Sequence, residues 1–139
     1  MRRHRNGKNG FSLIEVLLVL AILGIISTIA IPSYLGQRRR ARVIGDAQTN
    51  AQVLRMALET RKAENGVYGT TGTYTWTNGT PSNSTFLPSF TPKGNSKMNF
   101  SLLLGSTGLT YTLTVQDPTV GGATILTTTQ TGSTTIAAY

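Results

Sequence analysis

The sequence predicts an α+β protein in which one long N-terminal α-helix packs against a small C-terminal antiparallel β-sheet. Three observations predict it. A strongly apolar run with no charge lies between Glu15 and Arg38. A stripe of Val43, Ala47, Ala51, Leu54 and Leu58 then recurs at steps of three or four, the period of one helix face. Near the C-terminal end, Tyr111, Leu113 and Val115 alternate with Thr110, Thr112 and Thr114, the period of a half-buried strand.

The apolar run is too long for a strand, which usually has 3–10 residues. At about 1.5 Å per helical residue it is long enough to cross a hydrocarbon core about 30 Å thick. Pro32 lies within it and removes a backbone donor. The stripe resuming after Pro32 predicts a continuous helix bent there. Ser27 and Thr28 are expected to cap carbonyls left weak near that bend. Glu64-Asn65-Gly66 supplies a stop, because Asn or Gly readily takes the left-handed conformation after a last turn. The predicted helix runs from about Phe11 to about Glu64 and is roughly 80 Å long. Its polar positions, including Arg42, Gln48, Asn50, Arg55, Arg61 and Lys62, fall largely on other faces. Its first half needs lipid or other subunits as cover.

Residues 66–98 read as loop, with Gly66, Gly69, Gly72, Gly79, Pro81, Pro88, Pro92 and Gly94 among short Thr/Ser/Asn stretches. Tyr68, Tyr74, Trp76, Phe86 and Phe90 are expected to pin this segment onto the helix or the sheet. Phe100–Leu104 is the expected partner of the Tyr111–Val115 strand, through Gly105–Gly108. Asp117-Pro118 and Gly121-Gly122 mark the next turn. Ala123–Thr128 and Ser133–Ala138 follow as two more strands, with Gly132 at the bend.

A chain of 139 residues suits one modest domain. It has no cysteine, which excludes a disulfide framework, a thiolate zinc site and a Cys nucleophile. The net charge is +8, but Arg2, Arg3, Arg5 and Lys8 stand within the first ten residues. Setting them aside leaves 9 basic against 5 acidic residues, or +4, concentrated in Arg38, Arg39, Arg40 and Arg42. That run reads as a solvated or interfacial patch facing lipid headgroups, Asp46 or a neighbour's acids. Nucleic acid is the weaker reading, since Tyr34 is the one aromatic nearby. The acidic residues Glu15, Asp46, Glu59, Glu64 and Asp117 are scattered, and His4 lies in the predicted leader. No catalytic residue, metal or cofactor is therefore assigned. Asp117 reads as a turn residue, with calcium binding the thinner alternative. Asn78-Gly79-Thr80 and Asn83-Ser84-Thr85 match glycosylation sequons.

The informative unit is Lys8-Asn9-Gly10-Phe11-Ser12-Leu13-Ile14-Glu15. A basic leader precedes the apolar run, and no small-residue cleavage site follows it. Glu15 is an acidic residue opening an otherwise apolar helix, so a partner is expected. A cut between Gly10 and Phe11 would create one, a new amine four residues before the carboxylate. In a low-dielectric setting such a pair is strong and sensitive to register. An ordinary signal anchor, with a snorkelling Glu15, is the plainer alternative.

The string Gly10-Phe11-Ser12-Leu13-Ile14-Glu15-Val16-Leu17-Leu18-Val19 resembles the class III signal of type IV prepilins and type II secretion pseudopilins. The resemblance covers roughly residues 8–35. It implies cleavage after Gly10 by a prepilin peptidase, N-methylation of Phe11, and a filament-assembly role for Glu15 with Phe11. It makes Gly24 and Pro32 helix-weakening positions. It divides the chain into a leader (1–10), a long helix whose first half is membrane span or filament core (11–65), and a globular loop and sheet domain (66–139). It implies a homo-oligomeric helical filament built by inner-membrane machinery and its ATPase. The precursor would sit in a bacterial inner membrane with its C-terminal domain outside the cytoplasm. The product would be a surface pilus or a short periplasmic pseudopilus. A signal-anchored binding module is the alternative from another class.

Overall fold

The computed structural model describes residues 10–77, 80–81, 85–88, 90–94 and 97–137. One helix, α1, spans Leu13–Asn65, 53 residues, and continues through Pro32. The strands are β1 Gly72–Thr77, β2 Thr80–Pro81, β3 Asn99–Leu104, β4 Tyr111–Asp117, β5 Ala123–Thr129 and β6 Thr134–Ile136. They form one antiparallel sheet in the order β2-β1-β3-β4-β5-β6. The α+β expectation is met. The chain divides into two units, one ending at Arg38 and one beginning at Arg39.

In the second unit, Val43, Ala47, Ala51, Leu54 and Leu58 are all buried, as their spacing predicts. Asn50 corrects the sequence reading: it lies on the buried face, 3% exposed. The sheet meets this face with alternate residues. Phe100 pairs with Val115, Leu102 with Leu113 and Leu104 with Tyr111, and all six side chains are buried. Their intervening partners, such as Ser101 opposite Thr114, are less buried because successive residues point to opposite faces.

β5 breaks the alternation. Ile125 and Leu126 are consecutive and both buried. The register slips here, with Val115 opposite Leu126 but Gln116 opposite Thr124. The extra residue is a β-bulge, and it lets two neighbours on one strand face the core together. Thr128 also points inward, and its hydroxyl is satisfied by Thr134 Oγ1 at 3.1 Å.

The reading of 66–98 as loop fails at β1 and β2. Gly72-Thr-Tyr-Thr-Trp-Thr alternates like β4, but the surrounding glycines and prolines mask the signal. The aromatic pins do form. Trp76 stands edge-on to Phe90, Phe90 to Phe100, and Tyr68 to Tyr111, with centroids 5.4, 5.8 and 4.9 Å apart. Tyr74 stacks on Phe86 at 3.9 Å.

The helix ends where its stop signal predicts. Gly66 has φ 78°, and its N–H donates to Lys62 O at 2.8 Å. The chain then returns over the helix. Tyr68 Oη donates to Glu59 Oε1 at 2.9 Å, while Tyr68 N donates to Gly108 O at 2.8 Å. At the far turn, Asp117 Oδ1 accepts from Thr119 N at 2.8 Å and from Thr119 Oγ1 at 2.6 Å. It thereby caps the short 3-10 helix Pro118–Val120, which is the turn role read from sequence. Asn78, Asn83 and the leader residues Arg2, Arg3, His4, Arg5 and Lys8 lie outside the described residues.

Candidate functional site

The segment singled out by sequence begins at an open position. Gly10 is exposed, a Cβ there would meet nothing within 4 Å beyond its own chain neighbours, and Phe11 is 85% exposed. Both residues that flank the expected cut are therefore exposed. Helix α1 starts two residues later, at Leu13.

Ser12 is the residue before the first turn, and Glu15 is the third residue of the helix. The N–H groups of Glu15 and Val16 both donate to Ser12 O, at 3.1 and 3.3 Å. The Glu15 carboxylate reaches back, and Ser12 N donates to its Oε2 at 2.9 Å. This is the Glu half of a capping box, in which a carboxylate satisfies a backbone donor that has no helical acceptor. The carboxylate also sits at the positive end of the helix dipole. Sequence reasoning missed this intrachain partner, although Ser12-x-x-Glu15 is its signature. Glu15 is thus held one residue from the amide nitrogen of Phe11, the atom that cleavage after Gly10 would free.

Around Glu15 and on to Ile31 the helix carries no other charge and is almost wholly apolar. Leu13, Ile14, Leu17, Leu18, Ile25 and Ile29 are 57–79% exposed. This helix is long and apolar enough to cross a membrane. α1 is unbroken at Gly24 and at Pro32. Ser27 Oγ donates to Leu23 O and Thr28 Oγ1 to Ile25 O, both at 2.7 Å. Both hydroxyls thus bond helix carbonyls on the N-terminal side of Pro32. The missing proline N–H deprives Thr28 O, four residues back, whereas these hydroxyls serve carbonyls earlier in the helix.

A family model described as the prokaryotic N-terminal methylation motif matches residues 5–31. The chain carries a prepilin N-terminal methylation motif. It is similar to the type II secretion system core protein G of Vibrio cholerae, 39% identical over 64 residues, which cover 46% of this chain and 43% of that protein. It is also similar to a fimbrial protein of Moraxella nonliquefaciens, 41% identical over 61 residues, covering 44% and 38%. A core protein G of Klebsiella michiganensis is 31% identical over 70 residues, covering 48% and 46%. The chain spans less than half the length of these curated relatives. No solved structure matches it. The resemblance to type IV pilins and secretion pseudopilins is borne out by the motif and by these relatives.

The methylation motif places Phe11, Ser12 and Glu15 inside the matched segment, so the capped helix start belongs to it. Elsewhere, no three of His, Cys, Asp and Glu gather among the described residues in a way that could hold a metal ion. Of the arginine run, Arg39 Nη2 donates to Thr119 Oγ1 at 2.6 Å, and through that hydroxyl it is linked to Asp117.

Proposed function

We propose that this chain is a structural subunit of a type IV pilus-like extracytoplasmic filament, assembled after removal of residues 1–10. The observation that carries the reading is the hydrogen bond from Ser12 N to Glu15 at the start of an exposed apolar helix bearing the methylation motif. Hydrolysis of the Gly10–Phe11 amide releases Gly10 as a carboxylate and Phe11 as an ammonium. Methylation of that nitrogen keeps it basic. The ammonium then competes with Ser12 N–H for one carboxylate. Glu15 satisfies its own helix start before assembly and pairs with a Phe11 ammonium, its own or a neighbour's, during it.

The apolar faces of α1 would stack inward and exchange lipid for protein. That exchange replaces one apolar surroundings with another, so its hydrophobic gain is small. Packing and the Phe11–Glu15 pair would set the register, with Gly24 and Pro32 as the places where the helix gives way. Prepilin peptidase, the inner-membrane assembly machinery and its ATPase are the partners of this scheme. No part of it requires the chain to be an enzyme.

A second reading is a pseudopilin in a short periplasmic fibre, favoured by the similarity to type II secretion core protein G. Electron microscopy with antibody against the sheet domain tests both. Labelled fibres sheared from the cell surface are expected for a pilus, and labelled short fibres inside the envelope for a pseudopilin. Label confined to dispersed membrane subunits under assembling conditions would overturn both and leave a signal-anchored module.

A further inference from the structure

The arginines at the end of the apolar run are more than the filament reading uses. The run is uncharged up to Gln37, and Arg38, Arg39, Arg40 and Arg42 follow at once. All four are exposed. Arg39 alone is engaged, on Thr119. Among the described residues, the side chains of Arg38, Arg40 and Arg42 have no hydrogen-bond or ion-pair partner. Asp46, one turn past Arg42, is engaged elsewhere, and a Cβ at Gly94 would stand 2.8 Å from its carboxyl carbon.

Three free guanidinium groups therefore occupy the first polar positions after a span of membrane length. At about 100° per residue, Arg40 and Arg42 lie on opposite sides of α1. Charge on both sides suits a plane of headgroups around the helix better than one docking protein. Guanidinium groups match phosphate geometry, and their stems follow apolar surface while the heads reach the interface.

We propose that Arg38, Arg40 and Arg42 form a collar that binds the phosphates of anionic phospholipids in the leaflet on the sheet-domain side. The collar fixes the depth of the subunit before assembly. Withdrawing the subunit breaks these contacts, so anionic lipid slows its departure. The proposal rests on the membrane-held precursor read above.

The test uses the full chain inserted in vesicles of equimolar phosphatidylcholine and phosphatidylglycerol, with native mass spectrometry of the lipids it retains. The chain is expected to retain phosphatidylglycerol preferentially. Changing Arg38→Gln, Arg40→Gln and Arg42→Gln together should cut that preference roughly fivefold per arginine. A control with Arg2, Arg3, Arg5 and Lys8 all changed to Gln should keep the collar's share. The proposal is overturned if the collar variant keeps the full preference, or if the leader variant alone abolishes it. A chain that fails to enter either these vesicles or pure phosphatidylcholine vesicles overturns the membrane reading itself.

Discussion

Asn50 holds the backbone of Lys93 with both ends of its side-chain amide. Its Nδ2 donates to Lys93 O at 2.7 Å, and Lys93 N donates to its Oδ1 at 2.8 Å. The same Nδ2 also donates to Asp46 O at 2.9 Å. A buried polar side chain on the core face of α1 is thereby fully satisfied, and it ties the segment before β3 to the helix.

Asn50→Ala is expected to cost about 1–2 kcal/mol, because it removes the side-chain partner of Lys93 N and Lys93 O at a partly buried contact. Asn50→Asp should be similarly damaging, since a carboxylate cannot donate to Lys93 O or Asp46 O. Denaturation of the full chain in detergent, followed by the fluorescence of its single, buried Trp76, reads the loss. Unchanged stability in both variants would show that the clamp contributes nothing.

Alkaline pH should loosen the same domain. Burial first, and then the hydrogen bond to Glu59, push the Tyr68 phenol up from 10.0 to about 12. Burial also raises Tyr111, with the Arg55 guanidinium opposing the shift. A group whose folded pKa is raised contributes stability fully below its unfolded pKa and loses it as pH rises through the folded one. Stability should therefore fall between about pH 10 and pH 12. Tyr68→Phe should flatten that fall while keeping the ring contact with Tyr111. A pH profile identical to wild type would contradict the assignment.

Gly108 and Gly121 separate backbone strain from crowding. Their φ values are nearly equal, 66° and 63°. A Cβ at Gly121 meets nothing within 4 Å, whereas one at Gly108 would stand 2.5 Å from Gly69 O. Gly121→Ala should cost about 1–2 kcal/mol, the penalty of a left-handed non-glycine residue. Gly108→Ala should cost clearly more, because it also pushes back the turn that carries Tyr68. Thermal midpoints in the same order as Gly121→Ala would contradict this if Gly108→Ala proved equal or milder.

Glu15→Gln keeps the size of the side chain and can still accept from Ser12 N, but it loses the charge. The expected result is a chain that is made, inserted and clipped after Gly10 yet forms few or no fibres. Immunoblots of the membrane and sheared fractions measure both steps. Normal fibre yield from Glu15→Gln would remove the charge pair from the account.

Periodic features were legible in the sequence, and pairwise ones were not. The buried stripe from Val43 to Leu58 and the strand at Tyr111–Val115 follow from spacing alone. Asn50 was misassigned because an amide counts as polar until its partner is known, and that partner is a backbone 43 residues away. The Val115/Gln116 bulge leaves no trace in composition, because two adjacent apolar residues in β5 can be reconciled only by the register of β4. β1 was readable from Gly72–Thr77 but was outweighed by the glycines and prolines around it. At the functional segment, Gly10, Phe11 and Glu15 stood out by residue type. The local bond from Ser12 N to Glu15 was also written in the sequence, at a spacing whose structural meaning was overlooked.

The central claim is that the chain acts without its first ten residues. The most direct measurement is the intact mass and N-terminal sequence of the protein recovered from its native membrane and sheared surface fractions. The account predicts a chain beginning at N-methylated Phe11 in cells with an active prepilin peptidase. A chain still carrying Met1–Gly10 in those cells would contradict it.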